Sequence, residues 1–298
     1  MDRLESMSLF VAAVEAGSLS AAARKLAVPL ATLSRRVAEL EGRLGARLLH
    51  RTSRKLGLTD AGEVYLAACR RILADVAEAE RAAGGEYSAP RGDLVITAPL
   101  AFGRIYVVPV VAEFLRVHAA IDVRLALSDR VASLLEEGVD AAVRIGELPD
   151  SNLSAVRLGA VRRVVIASPG YLAERGTPRR PAELRGHDCV TFAGIGSPHA
   201  WTFVGGKEDA TVAVRSRLVV DAAEAAIDAA IAGVGLTRVL SYQAAAAEAA
   251  GTLVRVLRPF EPPAVPVQLV HAGASRIPLK LRAFLDFAGP RIKARLRG

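Results

Sequence analysis

The chain has 298 residues, more than one small domain usually holds, and 52% of them are hydrophobic, which excludes a disordered chain and provides for a sizeable core. The formal charge is +8 and the pI about 10.0, a balance that favours a polyanionic partner. The two cysteines, Cys69 and Cys189, stand far apart and the five histidines show no metal spacing, so no zinc site, disulfide framework or cofactor is expected.

Leu4, Met7, Phe10, Val11 and Val14 recur at helical spacing, and Gly17-Ser18 ends that helix. Ser20 is placed to cap a second helix carrying Ala22, Ala23 and Leu26. A turn at Ala27-Val28 leads to Pro29, suited to a first helical turn. Leu30, Leu33, Val37, Leu40 and Leu44 follow in steps of three and four, one apolar stripe that Gly45 closes. Residues 47–58 hold two short β-like runs around a basic tip and read as a hairpin. Thr59-Asp60 opens a long helix with Glu63 in its acidic first turn. Leu66, Cys69, Leu73 and Val76 form one stripe on it, and Tyr65, Ala68 and Ile72 a second. A helix so broadly apolar needs two partners, its own domain and a second copy of itself.

Gly84-Gly85 and Pro90-Arg91-Gly92 read as a hinge. Beyond it, strands are predicted at 94–97, 123–127, 141–145, 163–167, 218–220 and 265–270. Helices are predicted at 106–117, 132–137, 222–232, 242–249 and 279–287. This alternation implies an α/β domain with a mostly parallel sheet. There is no internal repeat. The start Met-Asp-Arg-Leu-Glu is unlike a secretory signal and no apolar run is long enough for a bilayer, so a cytoplasmic chain without a membrane partner is expected.

Charge is concentrated at the front. Residues 1–58 carry ten basic side chains against five acidic ones, a local +5, most of it between Arg35 and Lys55. With its apolar stripe packed inward, the helix at 30–44 turns Thr32, Arg35, Arg36 and Arg43 outward, with Ser34 at the edge. Arginine pairs bidentately with guanine, and Ser or Thr contacts bases or phosphates. Ser20 on the preceding helix joins these expected DNA contacts. Arg51, Thr52, Ser53, Arg54 and Lys55 at the hairpin tip would lie along the phosphate backbone as a wing. One amphipathic basic helix is ordinarily just a solvated face. The order helix, turn, helix, basic hairpin, long helix is much rarer and favours duplex DNA.

The run Phe10…Ala13…Gly17-Ser18-Leu19…Ala22-Ala23…Leu26…Ser34-Arg35…Leu40-Glu41…Leu44-Gly45…Leu48-Leu49…Arg51-Thr52…Leu58-Thr59-Asp60-Ala61-Gly62 resembles the LysR-type transcriptional regulators. So do Asp140…Arg144-Ile145-Gly146, Ala167-Ser168-Pro169-Gly170-Tyr171-Leu172, Gly176-Thr177-Pro178, Leu184…His187-Asp188-Cys189, Gly233-Val234-Gly235 and Pro278-Leu279-Lys280…Phe284-Leu285. The resemblance implies an all-α winged helix-turn-helix at 1–58, a linker and dimerisation helix with hinge at 59–90, and a two-lobed α/β effector domain at 91–298, similar to periplasmic binding proteins. Lobe I would be 91–161 with 265–298 and lobe II 162–264, with crossings near Val161-Arg162 and Ala264-Val265. The implied partners are double-stranded promoter DNA, a small-molecule effector, and further copies in a homodimer or homotetramer. The chain departs from the family at Pro29-Leu30-Ala31, where many members carry a Ser-Gln-Pro-like run, so a glutamine base contact does not carry over.

The positions matching the family's effector cleft are Pro99, Leu100, Ala101, Phe102 and Gly103, then Ile145 and Gly146, Phe192, Ala193 and Gly194, and Trp201. Residues 99–102 read as a loop without a hydroxyl, with Thr97 on the strand before it. An apolar cleft that holds an anion mainly through backbone N–H groups is therefore expected. Trp201 fits a core position as well as the cleft, and Arg144 fits a structural ion pair as well as an anionic ligand. Enzyme and transport-receptor readings find little support. Ser168 beside Pro169 reads as a turn, no Gly-x-Ser-x-Gly elbow exists, the Gly-x-Gly pairs at Gly194/Gly196 and Gly233/Gly235 are too weak for a nucleotide site, and no export signal stands out. No catalytic residue is expected.

Overall fold

The computed structural model describes residues 2–51, 56–83, 89–129, 138–148, 153–192, 199–204, 210–272 and 277–297. The hairpin tip at 52–55, Gly84-Gly85, the helix expected at 132–137, and Ala193, Gly194 and Gly196 lie outside the described residues.

Three helices open the chain: α1 (Arg3–Glu15), α2 (Leu19–Lys25) and α3 (Leu30–Leu44). The Asp2 carboxylate caps α1 by accepting from Leu4 N. Gly17 at φ +69° turns the chain out of it. Ser18, not Ser20, caps α2: its backbone is extended and its hydroxyl accepts from Ala21 N at 3.0 Å, which puts Ser20 inside the helix. Pro29 likewise stands one place earlier than expected, at the cap of α3 with φ −61° and ψ 136° rather than in its first turn. Gly45 in the left-handed region ends α3, as its position implies. The hairpin β1 (Leu49–Arg51) and β2 (Leu56–Leu58) pairs Leu49 with Leu58 and Arg51 with Leu56. It leads into the long helix α4 (Asp60–Ala83).

One core joins these pieces. Phe10, Ala13, Leu33, Val37, Leu40, Leu48 and Leu49 pack together with Leu66 and Cys69 of α4, and the Phe10 and Tyr65 rings lie 5.8 Å apart. Leu30 and Leu44, the two ends of the predicted stripe, are exposed. Over its 24 residues α4 extends about 36 Å at 1.5 Å per residue. Leu73, Val76, Ala68 and Ile72 are only half-buried in the single chain. Among the described residues no single helix is long and apolar enough to cross a membrane.

The body contains β3 (Gly92–Ala98), α5 (Leu100–Phe102), a π-helical turn (Gly103–Val107), α6 (Val108–Val117), β4 (Ile121–Leu127), β5 (Ala141–Ile145) and β6 (Leu153–Val161). It continues through β7 (Arg163–Ala167), α7 (Pro169–Arg175), β8 (Asp188–Phe192), the hairpin β9 (Ala200–Phe203) and β10 (Ala210–Ala213), β11 (Arg215–Val220), α8 (Ala223–Ile231) and β12 (Leu236–Leu240). It closes with α9 (Ser241–Ala249), β13 (Val254–Val256), β14 (Val265–Ala272) and α10 (Leu279–Arg297).

Two five-stranded sheets result, ordered β4-β3-β5-β14-β6 and β11-β8-β12-β7-β13. Neither is mostly parallel, which corrects the sequence expectation. β3 runs parallel to β4 and β5, but β14 inserts antiparallel between β5 and β6. In the second sheet β8 is parallel to β11 and β12, while β7 is antiparallel to β12 and β13. The cause is the doubled crossing. The chain leaves the first sheet after Val161 and re-enters it at Val265, so the returning strand arrives in the opposite sense. Helix α10 then locks the first sheet: Phe284 meets Phe114 edge-on at 5.4 Å, and the buried Lys280 ammonium lies 3.5 Å from the Asp140 carboxylate and donates to the Asp93 carbonyl.

The helix expected from 106 begins six residues earlier, at Leu100, with Pro99 as its cap. The π-helical turn inside it lets Gly103 press against Leu127 and Ala98, where any side chain would collide.

A recognition helix and an interlobe junction

The apolar side of α3 is buried through Leu33, Val37 and Leu40, so the opposite side faces outward by default. Arg35 projects from it with two-thirds of its side chain exposed and approaches Glu39 one turn on at 3.9 Å. Arg36 is held back against α1, its guanidinium 3.8 Å from Glu5, and its Nε has no hydrogen-bond partner among the described residues. Thr32 and Ser34 are half-buried at the two edges of the arginine row, and Ser20 is exposed on α2. The structure therefore leaves Arg35 outward, with Thr32 and Ser34 on either side of it and the exposed Pro29-Leu30-Ala31 at the helix start, and turns Arg36 toward α1. Of the expected wing residues, Arg51 ends β1, and Thr52, Ser53, Arg54 and Lys55 lie outside the described residues.

Glu41 is the residue that sequence reasoning passed over. Its buried carboxylate accepts from Leu48 N at 2.8 Å and Leu49 N at 3.1 Å, tying the last turn of α3 to the root of the hairpin. A second clasp lies beside it: Thr59 Oγ1 donates to the Arg47 carbonyl at 2.7 Å and accepts from Gly62 N at 2.9 Å. The hairpin and α4 thus share one hydrogen-bonded root.

The two sheets of the body meet at an aromatic junction. Tyr242 of α9 stacks edge-on against Phe102 at 5.4 Å and Tyr106 at 5.9 Å, both from the helix that follows β3. Arg162, on the first crossing, exchanges hydrogen bonds with Ser241. Arg104 reaches Glu224 of α8 at 3.8 Å. Burial, then the nearby carboxylates of Asp129 and Glu224, push the Tyr242 hydroxyl far above its ordinary range.

The expected cleft residues divide sharply. Ala101, Phe102 and Gly103 are buried in the first lobe's core, and Phe192 in the second's. Trp201 is buried in the β9–β10 hairpin with the Arg238 guanidinium 5.4 Å above its ring, the core alternative rather than a cleft wall. Burial brings the pKa of Arg238 down to about 10. Pro99, Leu100, Ile145 and Gly146 retain exposed surface. Two of the backbone donors expected to hold an anion are already engaged: Leu100 N donates to the Asp129 carboxylate at 3.0 Å and Gly146 N to the Pro266 carbonyl at 2.9 Å. Ala193 and Gly194 lie outside the described residues.

Residues 4–63 match the family described as bacterial regulatory helix-turn-helix protein, lysR family, and residues 88–292 match the LysR substrate binding domain. The chain belongs to the LysR-type transcriptional regulators. An HTH-type transcriptional regulator of Xanthomonas campestris pv. campestris is 38% identical over 293 residues, covering 97% of this chain and 85% of that one. An HTH-type transcriptional repressor of Pseudomonas aeruginosa is 34% identical, covering 96% and 91%. The structure of CrgA, a LysR-type transcriptional regulator from Neisseria meningitidis, superposes with a TM-score of 0.62 at 32% identity, covering 98% of this chain and 99% of that one. Like other LysR-type regulators, the chain thus carries an N-terminal DNA-binding helix-turn-helix and a C-terminal effector-binding domain of mixed sheets.

Proposed function

We propose that α3 reads an operator in the major groove through Arg35 and Arg36, with Thr32, Ser34 and Ser20 at its margins and the wing residues Arg51, Thr52, Ser53, Arg54 and Lys55 on the backbone. The single observation that carries this is the outward side of α3, where Arg35 projects with two-thirds of its side chain exposed while Leu33, Val37 and Leu40 are buried on the opposite side. The apolar start Pro29-Leu30-Ala31 reads by contact with thymine methyl groups, in place of a polar side chain. The half-buried stripes of α4 pair with those of a second copy. An antiparallel pair about 36 Å long sets two heads roughly one turn of DNA apart, about 34 Å. The working division is 1–58 for the head, 59–90 for the linker and 91–298 for the effector domain, with lobes at 91–161 plus 265–298 and at 162–264. The effector enters between the lobes near Pro99, Leu100, Ile145 and Gly146. The chain regulates rather than catalyses, and works in the cytoplasm; Ser168, at the start of α7, acts as a helix cap whose oxygen accepts from Tyr171 N.

Fluorescence anisotropy with the chain's own upstream DNA tests this. Arg35→Ala is expected to weaken operator binding roughly tenfold to a hundredfold, as the loss of about 1–3 kcal/mol from one bidentate base contact requires, with the fold unchanged. Binding that survives the substitution intact would end the assignment of α3. The affinity of the unaltered protein should also fall linearly on a log–log plot against salt, because each neutralised phosphate releases counterions. A flat salt response would remove the backbone contacts assigned to the wing.

A further inference from the structure

A second charged constellation lies at the far end of lobe II. Asp188 opens β8, and its side chain is only 8% exposed. Three arginines converge on it from two directions: Arg175 at the end of α7 at 3.8 Å, and Arg215 and Arg217 on the edge strand β11 at 3.4 and 3.2 Å. All three guanidinium groups are more than half exposed. Among the described residues only Arg217 completes a hydrogen bond to the carboxylate. One buried carboxylate needs one guanidinium fork, so two forks with five donors each remain largely unspent.

The carboxylate itself is fixed in place. Its backbone N–H donates to the Tyr171 hydroxyl at 2.9 Å, which also meets His187 Nδ1 at 3.2 Å. Gly235 passes so close to the Asp188 carbonyl that no side chain fits between them. Beside this anchor opens a cavity of about 470 Å³ walled by Arg175, Arg217, Asp188, Glu174 and Gly233. A neighbouring cavity of about 570 Å³ shares Tyr171, Glu174 and Gly233 with it. On the wall itself Arg175 and Arg217 balance Asp188 and Glu174, and Arg215, 3.4 Å from Asp188, brings the cluster to a net charge of +1. The position is remote from the interlobe junction. Asp188 sits where β8 meets the Leu236 end of β12, whereas Leu240, about 13 Å further along at 3.3 Å per residue, adjoins the Arg162 crossing.

We propose that this cavity binds a small phosphate-bearing anion, at a site separate from the interlobe cleft. Asp188 is a positioning residue that aims the arginines, and Arg217 on the cavity wall holds the phosphate, with Arg215 beside Asp188 supplying the excess positive charge. Three forks arriving from different directions match the several terminal oxygens of a phosphate, whereas a planar carboxylate satisfies one or two. A volume of several hundred cubic ångströms admits a metabolite-sized ester.

Calorimetry on the full chain at constant ionic strength tests the site, with inorganic phosphate and glycerol phosphate as probes and acetate as the reference anion. Saturable phosphate binding is expected, weakened at least about tenfold in Arg215→Ala/Arg217→Ala and unchanged in Arg35→Ala, which removes a cation from the head instead. Both arginines are exposed, so the variant should fold; its melting curve verifies that. Tighter binding of the ester than of free phosphate would identify an esterified metabolite, and the reverse order the free anion. The proposal falls if millimolar phosphate gives no saturable signal, if acetate binds as well, or if the double variant binds phosphate as the unaltered chain does.

Discussion

Glu41→Ala is expected to destabilise the DNA-binding head by about 2–4 kcal/mol, since two buried N–H groups would each lose a charge-assisted acceptor at about 1–3 kcal/mol. Leu48 N and Leu49 N both donate to this one carboxylate, and both residues are themselves core. For a head of this size the melting temperature should fall by roughly 10 °C or more, given about 4–8 °C per kcal/mol. Operator binding should fall with it, because the hairpin root moves while α3 keeps its arginines. Glu41→Gln retains one acceptor oxygen and should lie between the two. Differential scanning calorimetry and anisotropy on the same three proteins settle the matter. A melting temperature unmoved in Glu41→Ala would mean that water replaces the carboxylate and that the clasp does not set the wing.

The head was almost entirely legible in the sequence, because its signals are local. Gly17 and Gly45 mark turns that need positive φ, and Leu33, Val37 and Leu40 repeat at the period of one helix. The capping serine of α2 was misplaced because Ser18 and Ser20 offer the same hydroxyl, and only the extended backbone at Ser18 decides between them. Glu41 left one trace: it stands four residues after Val37, on the buried face, where an acid has no business without a partner.

The body was less legible. Asp188–Phe192 and Leu236–Leu240 are buried along their whole length, yet they carry Asp188, Thr191, Thr237 and Arg238, so they read neither as an apolar run nor as an alternation. Their polar members are settled by distant residues, such as Trp201 under Arg238. Strand direction is likewise absent from periodicity, and this is why a mixed sheet looked parallel. At the interlobe junction the sequence showed an apolar helix start with open backbone donors. It did not show that Asp129, nearly thirty residues on, supplies the carboxylate that meets Leu100 N. That donor is therefore already engaged by a carboxylate from within the chain.

Gly62→Ala is the second substitution with a large expected effect, and its sign opposes helix propensity. In an exposed helix, Ala in place of Gly stabilises by about 0.8–1 kcal/mol. Here a methyl group at position 62 would collide with the Leu48 carbonyl and reach 3.1 Å from Leu58 Cδ2. The carbonyl has nowhere to go, for it accepts from Thr59 N at 3.0 Å while Leu48 N is held by Glu41. Relief therefore comes from α4 swinging away from the hairpin, which also stretches the Gly62 N to Thr59 Oγ1 bond. Overpacking of this kind costs about 1–3 kcal/mol, enough to outweigh the propensity gain. The functional loss should exceed the stability loss, because a swing at the root of a helix about 36 Å long displaces one head relative to its mate. Binding to a full two-site operator should suffer more than binding to a single half-site, and anisotropy on the two DNAs measures the difference. A raised melting temperature with full-operator affinity intact would show that the root is pliable, and that the spacing of the heads is set elsewhere along α4.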